Sequence, residues 1–270
     1  MIAAASLPLP GDKPNRRPRH ARSCSAPSPS HPVLSRLHAL IHSLRHLDGR
    51  GTAAALLALA RLHAALDDLL RLPLARDPLL SCGPRLLDDF LRLADAHGSF
   101  RSAALALKQH LSEARTAIRR RDAGRLATAV RAHRRAEKEL ALLAAAVGDL
   151  ARVPPAAGLQ AEVAEVMSEA VAASAAASAA VFAGVAGVSA AATAAASTLK
   201  RPSWAIVGAL RKLLAAQKKG TTRAEAEMSA LERLEEAEEC IEGMEKGSEK
   251  VYRSLMNTRV SLLNILTPSL

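Results

Sequence analysis

Apolar residues recur along most of the chain at the three- and four-residue spacing of α-helices. Near the C-terminus, Val251, Leu255, Leu262 and Leu266 fall on one side of a predicted helix, while charged residues point elsewhere. A helix cannot bury such a stripe alone, so we expect it to pack on other parts of the chain or on another molecule. No stretch shows sustained alternation of apolar and polar residues, as a half-buried strand would. The pattern predicts an all-α protein.

Proline and glycine residues divide this pattern into segments. We expect helices after Pro32, from about Thr52 to Pro73, between Pro84 and Gly98, at 99–121, at about 125–147, at 204–214 and from Arg223 onward, with a linker at 218–220. Seven prolines in residues 1–32 prevent regular structure there. We therefore predict a disordered basic arm at 1–32 and one helical bundle domain at 33–270. The domain comprises N-terminal helices at 33–150, alanine-rich middle helices at 159–216 and a long amphipathic, coiled-coil-like helix at 223–270.

Charge is unevenly distributed along the chain, whose net charge is +11. Residues 101–138 hold eleven Lys and Arg against three acidic residues, a net of +8, whereas residues 223–250 hold ten Glu against four Lys and Arg, a net of −6. We expect these two segments to lie near each other. A nucleic-acid or anionic-lipid surface is the alternative for the basic segment, and the lack of accompanying aromatic residues or zinc ligands argues against it.

Residues 170–199 contain no charged residue, and their length suits a membrane span. Their composition does not, because Ala and Ser predominate over the Leu, Ile, Val and Phe residues that drive insertion. Small side chains also let neighbouring helices approach closely, so a buried helix or hairpin explains the segment equally well. Whether it packs in protein or in a membrane stays open at this stage.

Residues able to carry catalysis or bind a metal do not assemble into a recognisable site. His38, His42 and His46 share one helical face, but Arg45 lies there too and no carboxylate does, which favours a solvated polar face over a metal site. The sequence has no nucleophile elbow and no Gly-rich phosphate loop after a strand. We predict no enzymatic activity, no catalytic residues, no metal and no cofactor.

The cysteines and the N-terminus bear on the cellular compartment. Cys24, Cys82 and Cys240 are widely separated, which argues against a disulfide framework and suits a reducing compartment. No signal-peptide-like apolar segment follows Met1. We expect a cytoplasmic protein, with membrane association and the chloroplast as alternatives. The second alternative rests on the basic arm, which resembles an organelle transit peptide although its prolines argue against one.

A short motif in the arm matches the phosphoserine pattern R-S-x-S-x-P that 14-3-3 proteins bind. Its residues are Arg22, Ser23, Ser25 and Pro27. Arg22 precedes Ser25 by three residues, as basophilic kinases require, and a phosphate on Ser25 would add nearly two negative charges for an arginine cluster to bind. The motif predicts a 14-3-3 protein as partner.

Several segments together resemble a plant-specific family of helical proteins grouped with the BYPASS proteins of root and shoot development. The arm motif with His31 and Pro32, residues 66–74 (LDDLLRLPL), residues 86–121 and residues 258–266 carry the resemblance. The last segment is the most specific signature, and its central residues are Arg259, Val260, Ser261, Leu262, Leu263 and Asn264. The chain departs from the family pattern in having fewer lysines near residues 134–138 and more alanine at 170–199.

The resemblance implies an all-helical land-plant protein without established catalytic activity. We therefore expect a non-enzymatic interaction or regulatory protein in root and shoot development, controlled by phosphorylation at Ser25. Self-association stays open. The alternative is a peripheral or integral membrane protein that uses residues 170–199.

Overall fold

The computed structural model describes residues 31–46, 51–152, 162–199 and 223–267. Within them the chain forms six α-helices and one 3-10 turn, and no strand. The helices are α1 (Pro32–Arg45), α2 (Thr52–Leu70), α3 (Arg76–Arg119), α4 (Ala123–Ala151), α5 (Glu162–Thr198) and α6 (Arg223–Leu266), and the 3-10 turn is Pro73–Ala75. The predicted all-α helical bundle is confirmed. The arm up to residue 30, with its phosphoserine motif, and the helix and linker predicted at 204–220 lie outside the described residues.

Some neighbouring helices in the bundle are antiparallel, whereas α2 and α6 are parallel, since Leu56 lies against Gly247 and Asp67 against Ser261. Arg101 pairs with Glu249 and Arg121 with Glu227, so α3 and α6 are antiparallel. The antiparallel packing of α4 and α5 follows from two contacts, Arg134 with Ser197 and Gly148 with Ala179. Each 44-residue helix, α3 and α6, is about 66 Å long at 1.5 Å per residue. These two helices form one long side of the bundle.

The alanine-rich helix α5 lies at the centre and contacts each of the other five helices. Phe182, fully buried on this helix, stacks on Phe100 of α3 with ring centroids 4.5 Å apart. By length and composition the segment Glu162–Ser197 could cross a membrane, with a mean hydropathy of 1.9, and half of its most apolar window is buried in the bundle. Small side chains thus allow five helices to pack on α5, while one side of α5 stays exposed.

The two helices predicted on either side of Gly98 are one continuous helix, α3, which also passes through Pro84. That prediction was wrong. Pro84 and Leu80 both lie on the exposed side of α3, so water can bind the Leu80 carbonyl that proline leaves without a partner. Gly98 does not end the helix because buried residues on both sides, among them Phe90 and Phe100, pack on the same core. Tertiary packing here outweighs local helix propensity.

Gly148 was predicted to end its helix, but α4 continues to Ala151. Gly243 and Gly247 likewise lie within an unbroken α6. At Gly247 the reason is a close approach of α2, since a Cβ atom at this position would lie 2.7 Å from Cδ1 and 3.2 Å from Cβ of Leu56. The glycine therefore allows α2 and α6 to pack together.

The turn between α3 and α4 consists of residues 120–122, and two of them have special roles. Arg121 has a φ of 53°, in the left-handed region, which ends α3. The Asp122 carboxylate accepts a hydrogen bond from the backbone N–H of Arg125 at 2.9 Å and caps α4. This turn places the arginine-rich first half of α4 beside the C-terminal half of α3.

Candidate functional site

A row of hydroxyl groups follows the buried side of α5 and meets a histidine from each of three other helices. We call this set the polar seam. Its members are Ser174, Ser178, Ser189 and Thr193 of α5, His63 of α2, His97 of α3, His133 and Glu137 of α4, and Ser248 of α6. The α5 spacings of four, eleven and four residues keep all four hydroxyls on one side of the helix.

His97 joins three helices. Its Nδ1 atom lies 2.7 Å from Oγ of Ser248, and its Nε2 atom lies 3.0 Å from Oγ of Ser178. The ring is fully buried and packs edge-on against Phe182, with centroids 5.2 Å apart. Both ring nitrogens therefore have a hydroxyl partner, one as donor and one as acceptor.

His63 and His133 each use one ring nitrogen. Nε2 of His63 lies 3.2 Å from Oγ of Ser174, and Nε2 of His133 lies 2.5 Å from Oγ of Ser189 and 3.2 Å from Glu137. Their Nδ1 atoms are buried and have no hydrogen-bond partner among the described residues. The tautomer with hydrogen on Nε2 is the less costly one, because it leaves no N–H donor unpaired.

Glu137 extends the seam at the α4–α5 interface. Its carboxylate accepts a hydrogen bond from the Thr193 hydroxyl at 3.1 Å and lies beside His133. The charge of this half-buried carboxylate is thus directed into the bundle rather than towards solvent. Polar groups of α4 and α5 satisfy each other along this stretch.

Burial determines the protonation of the two central histidines. It lowers the pKa of His63 from 6.5 to about 3, with a smaller contribution from the charge of His97. It lowers the pKa of His97 to about 4. Both rings are therefore neutral at neutral pH, which suits hydrogen bonding to uncharged hydroxyls.

The seam contains the atoms of a nucleophile and a base but gives a substrate no access to them. A serine hydroxyl beside a neutral histidine is the arrangement used in covalent catalysis. Here Ser178, His97 and Ser248 are each no more than 1% exposed. In this conformation the contacts join helices and do not form an open active site.

Charged residues form a second row along α3 and α6, which we call the charge seam. Lys108 lies 3.0 Å from Glu245, and Arg115 lies 2.5 Å from Glu238 and 3.6 Å from Glu235. Further pairs are Arg101 with Glu249 and Arg121 with Glu227. The expected proximity of the basic and acidic segments is confirmed for α3, whereas α4 packs on α3 and α5.

The C-terminal signature packs at the corner where α2 turns into α3. The Ser261 hydroxyl donates to Oδ1 of Asp67 at 2.8 Å, and Asp67 also pairs with Arg71 at 2.5 Å. A Cβ atom on Gly83 of α3 would lie 2.5 Å from a methyl group of Leu266, so this glycine provides room for the end of α6. The segments at 66–74 and 258–266, both singled out from the sequence, meet in space.

The signature residues divide between the inside and the outside of the bundle. Leu262 is fully buried, whereas Val260 is 52% and Leu263 is 41% exposed. Asn264 is exposed, and Arg259 is half-buried. The buried half explains how the helix docks, and the exposed half leaves two apolar side chains at the surface.

Two apolar grooves open on the described surface. One of about 410 Å³ lies between α1, α2 and α5 and is lined mainly by alanines, with Arg45 at its edge. Another of about 470 Å³ lies between α3 and α4, with Leu143, Val147 and Leu150 in its wall. Neither is lined by a histidine or a cysteine, although the carboxylates of Asp95 and Asp149 line the second groove.

Comparison with protein families identifies the chain. The family model described as Protein BPS1 matches residues 55–265, which covers most of the chain and all six central signature residues. The chain belongs to this family. The resemblance to BYPASS-like proteins is confirmed, and BPS1 membership makes the chain a plant developmental protein of unknown biochemical activity. The BPS1 family is not a known enzyme family. Searches of curated proteins and of solved structures find no match.

The BPS1 match includes Asp67, Ser261 and the whole polar seam. Sequence reasoning did not identify the seam, although two signals were present. Ser174 and Ser178 are four residues apart in an uncharged segment, and His63, His97 and His133 each interrupt an apolar helical stripe. In both cases a polar residue, serine or histidine, occupies a position that the helical spacing predicts to be buried.

The remaining predicted residues have simple positions. Arg22, Ser23, Ser25 and Pro27 lie outside the described residues. His42 and His46 are exposed with ring centroids 4.3 Å apart, and the described residues contain no group of three or more His, Cys, Asp or Glu arranged to hold a metal ion. Cys82 and Cys240 are half-buried free thiols.

Proposed function

We propose that this BPS1-family protein is a non-catalytic interaction protein in root and shoot development. One observation supports this proposal above others: the described serine–histidine pairs lie in the core, where they join helices. Serine–histidine pairs that are enclosed in the core suit a protein that contacts macromolecules rather than one that performs chemistry on a small substrate in an open pocket. Family membership agrees with this role.

A phosphorylated arm provides the regulated contact. Phosphorylation at Ser25 adds a doubly charged group, with Arg22 at the −3 position and Pro27 at +2, a combination that suits the basic groove of a 14-3-3 protein. Without the phosphate, the arm carries five basic residues against one acidic residue and repels such a groove. The phosphate therefore acts as the switch.

The test uses the full-length protein phosphorylated by a basophilic kinase, with binding to a purified 14-3-3 protein measured by calorimetry. Wild type should bind only when phosphorylated, and Ser25→Ala should abolish binding. Ser23→Ala is the matched control, because it removes a neighbouring hydroxyl and leaves Ser25 and Arg22 in place. Failure of phosphorylated wild type to bind would refute the switch.

The exposed half of the signature is a second contact surface. Val260 and Leu263 lie outside on α6, beside buried Leu262. Val260→Ser with Leu263→Ser should reduce capture of protein partners from growing plant tissue while leaving the melting temperature within about 2 °C, since exposed substitutions change stability little. Undiminished capture by a folded variant would remove this surface from the proposal.

A further inference from the structure

Four basic side chains form a ridge on the exposed side of α4. Arg131, Arg134, Arg135 and Lys138 are spaced by three, four and seven residues, which places them on one helical face over roughly 10 Å of helix. All four are exposed. We call this set the basic ridge.

The ridge differs from the basic residues of α3 in having no counter-charge. The four cations of the charge seam, Arg101, Lys108, Arg115 and Arg121, each pair with a carboxylate of α6. On the ridge, Arg131 contacts the Thr128 hydroxyl at 3.2 Å and Arg134 the Ser197 hydroxyl at 3.4 Å, both neutral groups. Within the described part of the chain, no carboxylate lies within ion-pair distance of the four ridge cations.

Nearby acidic residues do not neutralise the ridge. Glu137 faces inward to His133 and Thr193. Glu139 is exposed on the same helix, which leaves a net charge of +3 for the four cations and this residue. The fold thus uses α6 to neutralise α3 and leaves α4 electropositive at the surface.

Apolar surface adjoins the ridge on two sides. Leu142, one turn after Lys138, is 71% exposed. Ala190, Ala191 and Ala194 of α5 are also exposed, and the Arg134–Ser197 contact shows that the ridge borders this end of α5. Cations beside uncharged apolar surface suit the interface of an anionic bilayer, where phosphates meet acyl chains.

Nucleic acid fits this face less well. Proteins that bind single strands place aromatic rings beside their basic groups for base stacking. The three phenylalanines are fully buried, and Tyr252 is on α6. A convex, single-helix ridge with an exposed leucine is better suited to a membrane surface.

We propose that the basic ridge, Leu142 and the adjoining alanines of α5 dock on anionic phospholipid bilayers. The arginines and Lys138 contact lipid phosphates and carboxylates, and Leu142 enters the interface. The proposal does not depend on the phosphorylated arm or on the exposed signature residues, since it concerns a different helix.

The test is flotation of the full-length protein with vesicles of phosphatidylcholine alone or with about 30% phosphatidylserine, at low and at raised salt. The ridge variant is Arg131→Gln with Arg135→Gln and Lys138→Gln. The matched control, Arg61→Gln with Arg76→Gln and Arg92→Gln, removes the same charge from exposed positions on α2 and α3. Melting curves verify that both variants are folded.

Wild type should bind only the phosphatidylserine vesicles and lose binding as salt rises. The ridge variant should partition onto the vesicles roughly 100-fold less than wild type, because each of the three removed basic residues contributes a factor of about five at an anionic surface. The α2–α3 control variant should partition onto the vesicles several-fold more strongly than the ridge variant. Equal losses in both variants would overturn the proposal, as would a ridge variant that binds like wild type through the basic arm.

A second variant distinguishes a bilayer from a soluble polyanion. Leu142→Gln should weaken vesicle binding and leave the retention of the protein on a heparin column unchanged. If an RNA oligonucleotide bound wild type more tightly than the vesicles and the ridge variant lost that binding, the surface would be a nucleic-acid site and the membrane assignment would be wrong.

Discussion

Lowering the pH should destabilise the bundle through His63 and His97. Both rings are fully buried, and burial lowers their pKa values from 6.5 to about 3 and about 4. Between those values and 6.5 the unfolded chain binds protons that the folded chain does not. The stability due to the neutral rings is therefore fully present above pH 6.5 and is lost as the pH falls towards 4.

The magnitude follows from the difference in pKa. From pH 7.0 to pH 5.5, each histidine lowers the free energy of unfolding by about 1.2 kcal/mol, and the two together by about 2.5 kcal/mol. That is a large share of the roughly 5–15 kcal/mol that stabilises a typical domain. Most carboxylates remain ionised over this interval, so they contribute little to the change.

The assay is urea unfolding followed by circular dichroism at both pH values, for wild type and for His63→Asn with His97→Asn. The double variant should be less stable at pH 7.0, because it disrupts the bonds to Ser178 and Ser248, and its stability should change much less with pH. His97→Asn alone should show about half the wild-type change. Equal pH dependence in wild type and double variant would refute the assignment of neutral buried rings.

Three further predictions compare neighbouring or chemically similar positions by chemical unfolding. Leu262→Ala should lower the free energy of unfolding by about 2–5 kcal/mol and Leu263→Ala by under about 0.5 kcal/mol, since the first residue is fully buried and the second is 41% exposed. Equal losses would mean that α6 is not docked in solution. Gly243→Ala should raise the free energy of unfolding by roughly 0.5–1 kcal/mol, whereas Gly247→Ala should leave it unchanged or lower it, because α2 lies against Gly247. Equal gains in stability would contradict that close approach. Arg115→Ala should cost at most about 1 kcal/mol, and a larger cost would show that the charge seam contributes more than partly exposed ion pairs usually do.

The helical fold could be predicted because its evidence is local. The spacing of Val251, Leu255, Leu262 and Leu266 predicted a buried face; the first three are buried and Leu266 is half-buried. Opposite charges on two segments predicted that the segments approach each other, and Lys108 with Glu245 confirms it for α3. These signals lie within one helix or follow from simple attraction, so they do not require knowledge of the packing.

The helix boundaries at Pro84 and Gly98 could not be predicted, because they depend on what surrounds α3. Local propensity favours a break at both residues. Whether a break occurs depends on which carbonyl reaches water and which side chains reach the core. Both are properties of the assembled bundle.

The polar seam was missed because its bonds connect distant parts of the chain. Ser248 and Ser178 are brought to His97 only when α3, α5 and α6 have assembled. In the sequence alone, none of these residues can be distinguished from an ordinary polar surface residue. The seam also fixes how far each neighbouring helix is shifted along α5. An alanine surface alone could not do so, because it is nearly uniform along the helix, whereas a hydrogen bond joins two particular positions.

The central position of α5 has a consequence for biosynthesis. As α5 emerges from the ribosome, the nascent chain presents an uncharged segment of about thirty residues, long enough to be taken for a membrane span. Of the five helices that contact α5, α1 to α4 have by then been synthesised, and only α6 is still to come. Because of this order, the histidines that bind the α5 hydroxyls and most of its apolar neighbours are already present when α5 is synthesised. The uncharged segment is therefore exposed to water only briefly. A circular permutant in which α5 is made first should therefore aggregate or enter membranes during translation.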